Sequence, residues 1–258
     1  MGHNGFVERN KDVRSVSWGD EASVVDAVAT IDVAGAVARG RDDPASRRGP
    51  AASRAWPIVK RTFDVVAAIV MLTVLLPVLA VVAVLIKLDS PGALFFRQRR
   101  YGRHLRPFTV WKFRTMHEGV SSAAHERYIA ALAGGLHDGD PGLKKLTRDP
   151  RVTRTGALLR RMSLDELPQL LNVLRGEMSL VGPRPALEYE LDHYAAVHFD
   201  RFLVQPGITG LWQVSGRNRL GFIEMLDLDV AYAHGCGPGM DAVILLRTPL
   251  AVLGSAAA

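Results

Sequence analysis

The feature that most constrains this chain is an unbroken apolar run from Thr62 to Ile86, TFDVVAAIVMLTVLLPVLAVVAVLI, in which Asp64 is the only charge. A helix rises about 1.5 Å per residue, so these residues suffice to cross a hydrocarbon core of about 30 Å. A helix apolar on every side belongs in lipid rather than on a soluble core. Its flanks are both basic, with Lys60 and Arg61 before it and Lys87, Arg97, Arg99, Arg100 and Arg103 after it. The bias of cationic flanks toward the cytoplasm therefore asks both ends to lie on one side. Pro77 sits near the middle, where it removes a helix hydrogen bond and clashes with the preceding turn. A re-entrant helix bent at Pro77 meets both demands, and a kinked spanning helix is the alternative.

The rest of the chain is built differently. Residues 1–55 are rich in Ala, Gly, Asp and Arg, and the stretch Arg39 to Ala55 carries almost no large apolar side chain, so a disordered extension is expected. A patch at Val24 to Val37 could form a transient helix. No cleavable leader is apparent, and the N-terminus is expected to stay cytoplasmic. With 258 residues and 48% hydrophobic content, the remainder can bury a core of ordinary size. The single cysteine, Cys236, excludes internal disulfides and Cys-rich metal clusters. A net charge of +6 points to acidic partners without choosing among nucleic acid, anionic lipid and phosphorylated small molecules.

Two short strands, Ala93 to Arg99 and Pro107 to Met116, are expected to pair through a turn at Gly102. Alternation along the second places Lys112 and Arg114 on one face. Helices are expected at Ala123 to Ala133, Thr155 to Arg161, Asp165 to Leu174, Leu187 to Val197, Phe222 to His234 and Asp241 to Leu253.

Chemistry concentrates in three segments. Leu158 to Leu171, LLRRMSLDELPQLL, sets adjacent carboxylates Asp165 and Glu166 behind Arg160 and Arg161. Guanidinium groups and a helix start would keep a carboxylate ionised, and an ionised aspartate can attack phosphorus. Ser163 with Glu166 also fits a plain capping box, and Pro168 fits a first helical turn, which would place the carboxylates at the helix start. Val181 to Pro185, VGPRP, stiffens the backbone around Arg184, a fork suited to phosphate, though a solvated surface arginine fits the same residues. Gln205 to Arg217, QPGITGLWQVSGR, combines Gly207, Gly210 and Gly216 with Gln213 and Arg217, in a spacing that is neither a Walker nor a Rossmann signature. Together these supply a carboxylate nucleophile, a second carboxylate for a divalent ion, and phosphate ligands in Lys112, Arg114, Arg184 and Arg217. Mg²⁺ is the expected cofactor, because it prefers few protein ligands plus substrate oxygens.

Ordered motifs from Lys60 to about Leu253 resemble the bacterial sugar transferases, the monotopic polyprenyl-phosphate phosphoglycosyl transferases. They are KRTFD (Lys60 to Asp64), LDSPG (Leu88 to Gly92), FFRQR (Phe95 to Arg99), KFRTM (Lys112 to Met116), DPRVT (Asp149 to Thr153), SLDELPQ (Ser163 to Gln169), NVLRGEMSLVGPRP (Asn172 to Pro185) and PGITGLWQVSGR (Pro206 to Arg217). The resemblance implies attack by Asp165 on the sugar-bearing phosphate of a nucleotide-sugar, a UDP-sugar by family expectation, with loss of a nucleoside monophosphate. A polyprenyl phosphate such as undecaprenyl phosphate then takes the sugar-1-phosphate, which begins exopolysaccharide, capsule or O-antigen assembly. Glu166 and Asp165 would hold Mg²⁺, and Lys112, Arg114, Arg184, Gln213 and Arg217 would face substrate. The membrane segment of the family is similar to the re-entrant form.

Two departures stand out: Leu76 replaces a serine common before the kink proline, and His234 to Gly239 (HGCGPG) replaces an aromatic pair. The expected fold is α+β, mostly helical, with a small β element, a re-entrant membrane helix at residues 56–90 and a cytoplasmic catalytic domain at 91–253 on the inner membrane. The partners are donor, lipid acceptor and membrane lipid, without nucleic acid, and the oligomeric state is left open. Rival readings are a non-catalytic basic scaffold on anionic lipid and an inverting glycosyltransferase, which would release a nucleoside diphosphate.

Overall fold

The computed structural model describes residues 56–117, 123–134, 151–216 and 220–257. The expectations for residues 1–55, the transient helix at Val24 to Val37 included, and for Arg217 fall outside these. The apolar run forms the core of a longer helix, α1 (Trp56–Asp89), which continues through Pro77. At 1.5 Å per residue its 34 residues measure about 51 Å. Most of its side chains are exposed, among them Val66, Ile69, Val70, Val74, Leu76, Val81 and Val84.

Only one stripe of α1 is buried, through Asp64, Ala68, Val82 and Ile86, and it is anchored at both ends on the same globular unit. At the N-terminal end Lys60 Nζ donates to Val181 O (3.1 Å) and pairs with Asp241 (2.5 Å). Arg61 donates to Val173 O and Leu174 O, the unsatisfied carbonyls at a helix C-terminus. Asp64 accepts from Ser179 Oγ at 2.7 Å and Leu180 N at 3.2 Å, which satisfies a carboxylate that would be costly to bury alone. At the other end Asp89 accepts from Thr155 N at 2.8 Å, and Val82 and Ile86 pack with Phe113 and Leu159. Lys60, Arg61 and Asp64 thus act as docking residues as well as basic flank.

The strands β1 (Phe95–Tyr101) and β2 (Pro107–Phe113) form an antiparallel hairpin in which Phe95 faces Phe113 and Arg97 faces Trp111. β2 ends at Phe113, earlier than Met116. The helix α2 (Ala123–Ala133) matches its expected bounds, and α3 (Arg154–Arg161) lies one residue from them. Thr153 caps α3 through Gly156 N, and Gly156 is obligatory because a Cβ there would lie 2.1 Å from Thr115 O.

The expected helix Asp165 to Leu174 divides into a 3-10 turn, Leu164–Gln169, and α4 (Leu170–Arg175). Pro168, inside the turn, has no N–H to continue an α-helical ladder. The capping box also fails: Ser163 takes φ 55° and its side chain caps nothing. Asn172, fully buried on α4, acts as a surrogate strand, accepting from Trp111 N at 3.2 Å and donating to Thr109 O at 2.7 Å. This closes the outer edge of β2.

β3 (Ser179–Val181) and β4 (Gly207–Thr209) pair in parallel, Ser179 opposite Gly207 and Val181 opposite Thr209. Two glycines of the QPGITGLWQVSGR segment, Gly207 and Gly210, serve this pairing. A Cβ on Gly207 would lie 2.1 Å from Gly182 N, and one on Gly210 would lie 2.4 Å from Gly182 O. The segment expected as a helix at Leu187 to Val197 forms two 3-10 stretches, Glu188–His193 and Ala196–Leu203. α5 (Leu211–Ser215), α6 (Phe222–Gly235) and α7 (Pro238–Ala257) complete the described chain. The main core gathers Ala68, Val110, Leu170, Val173, Met178, Val181, Leu211, Tyr232 and Ile244, so α1 is part of the core rather than an appendage.

Candidate active site

The hairpin carries two chemistries on its two faces. On one face Lys112 extends from β2 to the Leu164–Gln169 turn and pairs with Glu166 Oε1 at 2.5 Å. Next to Glu166 in the chain, Asp165 is buried, and no hydrogen bond ties its carboxylate to a side chain among the described residues. The two neighbours titrate in opposite directions. Burial pushes Asp165 above the ordinary aspartate range, and Glu166 adds to this, while Lys112 and Arg160 pull the other way without winning. Burial acts on Glu166 in the same sense, but Lys112, Arg184 and Arg100 outweigh it and hold the group low. The expectation that cations and a helix start keep Asp165 ionised meets a stronger desolvation effect. The result is a basic, poorly solvated carboxylate beside a fixed anion.

The VGPRP turn converges on the same place. Arg184 pairs with Glu190 at 3.3 Å and lies close enough to Glu166 to lower its pKa. Its backbone is held from both sides: Arg201 donates to Arg184 O and Arg100 to Pro185 O, each at 2.7 Å. Tyr101 and Ala186 exchange both backbone hydrogen bonds, which ties the turn to the hairpin. Glu190, nearly fully buried, accepts from Leu187 N at 2.9 Å, and Arg201 pairs with Asp229 at 2.6 Å. Burial draws Arg100 down to about 10, so it is still cationic at neutral pH. Tyr189 is pushed up to about 12 by burial and by Glu190.

Asp165, Glu166, Lys112 and Arg184 are therefore gathered into one site. Arg114 is not. It lies beyond the strand end and donates to Ser90 O (2.7 Å), Ser90 Oγ (3.0 Å) and Pro91 O (2.8 Å), locking the exit of α1. The alternation that put it beside Lys112 stops at Phe113. Gln213, on α5, donates to Ile208 O at 3.3 Å, and its Oε1 is buried without a partner among the described residues. Sequence reasoning passed over Arg100, Glu190, Arg201 and Asp229. Arg100 shares the Lys112 face of the hairpin and could have been found by extending the alternation to β1. Arg201 and Asp229 are joined only by the fold.

Among the described residues no cluster of three or more His, Cys, Asp or Glu side chains could hold a metal. The donor set fits one hard cation that keeps most of its shell for other oxygens: the Asp165 carboxylate is uncommitted and Glu166 has Oε2 to spare.

A buried carboxylate next to a lysine and a rigid arginine is suited to phosphoryl chemistry, and comparison with known proteins agrees. The family model described as bacterial sugar transferase matches residues 55–255. The chain belongs to this family. It is 42% identical over 197 residues to the exopolysaccharide production protein ExoY of Rhizobium meliloti (strain 1021), covering 76% of this chain and 85% of that protein. It is 40% identical over 211 residues to the UDP-glucose:undecaprenyl-phosphate glucose-1-phosphate transferase of Caulobacter vibrioides, covering 78% and 72%. The undecaprenyl-phosphate galactose phosphotransferase of Salmonella typhimurium is 37% identical over 209 residues, covering 78% of this chain and 42% of that protein. The chain is thus a sugar transferase, and among its described residues one helix is long and apolar enough to cross a membrane.

Proposed function

We propose that this transferase moves a sugar-1-phosphate from a nucleotide-sugar, a UDP-sugar first of all, to undecaprenyl or another polyprenyl phosphate, through a covalent intermediate on Asp165. The observation that carries the reading is the contrast inside the Asp165–Glu166 pair, one carboxylate desolvated and uncommitted, the other fixed by Lys112. Asp165 Oδ attacks the sugar-bearing phosphorus, and the bond from that phosphorus to the bridging oxygen breaks. The nucleoside monophosphate leaves with the electron pair. An oxygen of the lipid phosphate then attacks the same phosphorus and returns the carboxylate, leaving a lipid diphosphate sugar.

Desolvation helps the first step, because a carboxylate stripped of water carries less hydration to shed on attack. Lys112 can shift from Glu166 to the incoming phosphate oxygens, and Arg184, fixed by its prolines and Glu190, offers a fork to the charge that develops. Asp165 and Glu166 would hold Mg²⁺, which when bound neutralises diphosphate charge. Gln213 and Arg217 are proposed as further substrate-facing residues in this reading.

Attachment of both ends of α1 to one domain supports the re-entrant topology, with the catalytic domain on the cytoplasmic face of the inner membrane. The donor reading is tested by incubating purified enzyme with a panel of nucleotide-sugars, Mg²⁺ and undecaprenyl phosphate. Release of nucleoside monophosphate is expected, with UMP the first product sought. Release of a nucleoside diphosphate would instead mark a direct glycosyl transfer and end the proposal.

A further inference from the structure

The second face of the hairpin carries a group that the transfer reaction does not use. Arg97 and Trp111 are directly opposed across β1 and β2, and the Arg97 guanidinium lies 4.4 Å from the centroid of the indole. Arg175, the last residue of α4, places its guanidinium 5.3 Å from the same ring. Both arginines are exposed, and neither pairs with a carboxylate among the described residues. The nearest acid in sequence, Glu177, accepts from Asn172 Nδ2 at 2.6 Å. Two cations held over one aromatic ring without a counter-charge form a standing demand for an anion, and the forked geometry of arginine favours a phosphate.

Its position in the fold decides which phosphate. Arg175 directly follows Val173 and Leu174, whose carbonyls bind Arg61 at the entrance of the apolar run. On the other side, Phe95 sits edge-on to Trp111 at 5.8 Å and stacks on Phe113, which packs with Val82 and Ile86 near the exit of that run. The group is therefore bracketed by both ends of α1. An indole flanked by arginines at that level has the composition of a membrane–water boundary.

We infer that Arg97, Trp111 and Arg175 form a seat for the phosphodiester headgroup of an anionic bilayer phospholipid, separate from the Asp165 site on the opposite face of the hairpin. The inference rests on the membrane seating proposed above. Guanidinium groups bind the phosphate oxygens, and the ring supports the arginines from below while facing the acyl–headgroup boundary. The seat fixes the rotation of the domain about α1, which keeps the Asp165 site at the level where a lipid phosphate is presented.

The full-length protein is reconstituted in bilayers of phosphatidylcholine mixed with phosphatidylglycerol, and native mass spectrometry reads the ratio of the two lipids retained on it. Arg97→Gln with Arg175→Gln should lower the preference for phosphatidylglycerol by roughly 25-fold, since each cation near an anionic surface contributes about fivefold. The Lys pair, Arg97→Lys with Arg175→Lys, keeps the charge without the fork, so it should retain clearly more of the preference than the Gln pair, and it controls for folding. Membrane fractionation of the Gln pair should be unchanged, because α1 is intact. An unchanged lipid ratio in the Gln pair would overturn the inference, and so would equal losses in the Gln and Lys pairs. A raised KM for nucleotide-sugar or polyprenyl phosphate with an unchanged lipid ratio would assign the arginines to a substrate and also overturn it. The lipid ratio is read without turnover, so absence of monophosphate release would count against the reaction and leave the seat standing.

Discussion

Asp165 and Glu190 are both buried carboxylates, and their surroundings give them opposite roles. Asp165 is desolvated and uncommitted, so Asp165→Asn is expected to reduce monophosphate release by several orders of magnitude while the protein stays folded and in the membrane, since the amide keeps the shape. Arg184→Ala should cost about a hundredfold, the scale of losing one electrostatic donor. Equal, mild losses in the two variants would remove Asp165 from the nucleophile role. Glu190, by contrast, is held below the ordinary glutamate value of 4.5: burial raises it, but Arg184, Arg100 and the Leu187 N–H more than offset this. A depressed folded pKa stabilises the protein fully above the unfolded value and is lost as pH falls through the folded one. Glu190→Gln should therefore lower stability at pH 7 by about 2 kcal/mol, and the gap in melting temperature should narrow as pH falls below 4.5 and through the depressed folded value. A gap independent of pH would mean that the carboxylate charge does not hold the Arg184 turn.

At the scale of elements, the sequence announces those governed by periodicity and leaves silent those governed by neighbours. The apolar run, the hairpin and the helices α2, α3 and α6 follow from patterns that a strand or helix imposes on its own residues. The 3-10 turn at Leu164–Gln169 does not, because its departure from an α-helix depends on Pro168 and on the docking of Glu166 to Lys112, a partner far away in the chain. Site legibility divides along the same line. Asp165, Glu166, Lys112 and Arg184 were readable as chemical types near one another or near prolines, whereas Arg201 with Asp229 has no local signature. Arg114 was expected beside Lys112, yet its guanidinium is taken up by Ser90 and Pro91, partners that only the fold supplies. Gly207 of β4 is legible only through the fold, because its role is to let two backbones meet. Gly207→Ala tests this directly. A Cβ 2.1 Å from Gly182 N must push β3 and β4 apart, so a loss of about 3 kcal/mol is expected in chemical denaturation. A wild-type midpoint would show that the close approach is dispensable.

For the molecule as a whole, the attachment of α1 bears on the re-entrant topology proposed above. A spanning helix would have to separate Arg61 and Asp89 by the full hydrocarbon thickness of about 30 Å and place them on opposite faces. Yet Arg61 is bonded to Val173 and Leu174, and Asp89 to Thr155, all in one globular unit. Spanning would break one of these sets and strand Asp64 away from Ser179, leaving a buried carboxylate without donors. Both flanks are therefore expected on the cytoplasmic side. The measurement uses single cysteines introduced in a Cys236→Ser background, one at Ser53 and one at Arg103, an exposed residue in the hairpin turn. Arg103 is preferable to its neighbour Gly102, where a Cβ would press on Phe108 at 3.0 Å. Intact cells are treated with a membrane-impermeant thiol reagent, and neither position should react until the cells are opened. Labelling at Ser53 alone in intact cells would mean that α1 crosses the bilayer and that its N-terminal contacts with Val181, Ser179 and Asp241 are not made in the membrane. The reaction proposed for Asp165 would survive that result, because β1 and everything after it would still face the cytoplasmic nucleotide-sugar pool. The lipid seat would lose the Arg61 side of its bracket, because Arg61 and Arg175 could no longer lie at the same membrane face, and its level would be set by the packing of Phe95 and Phe113 on Val82 and Ile86 alone.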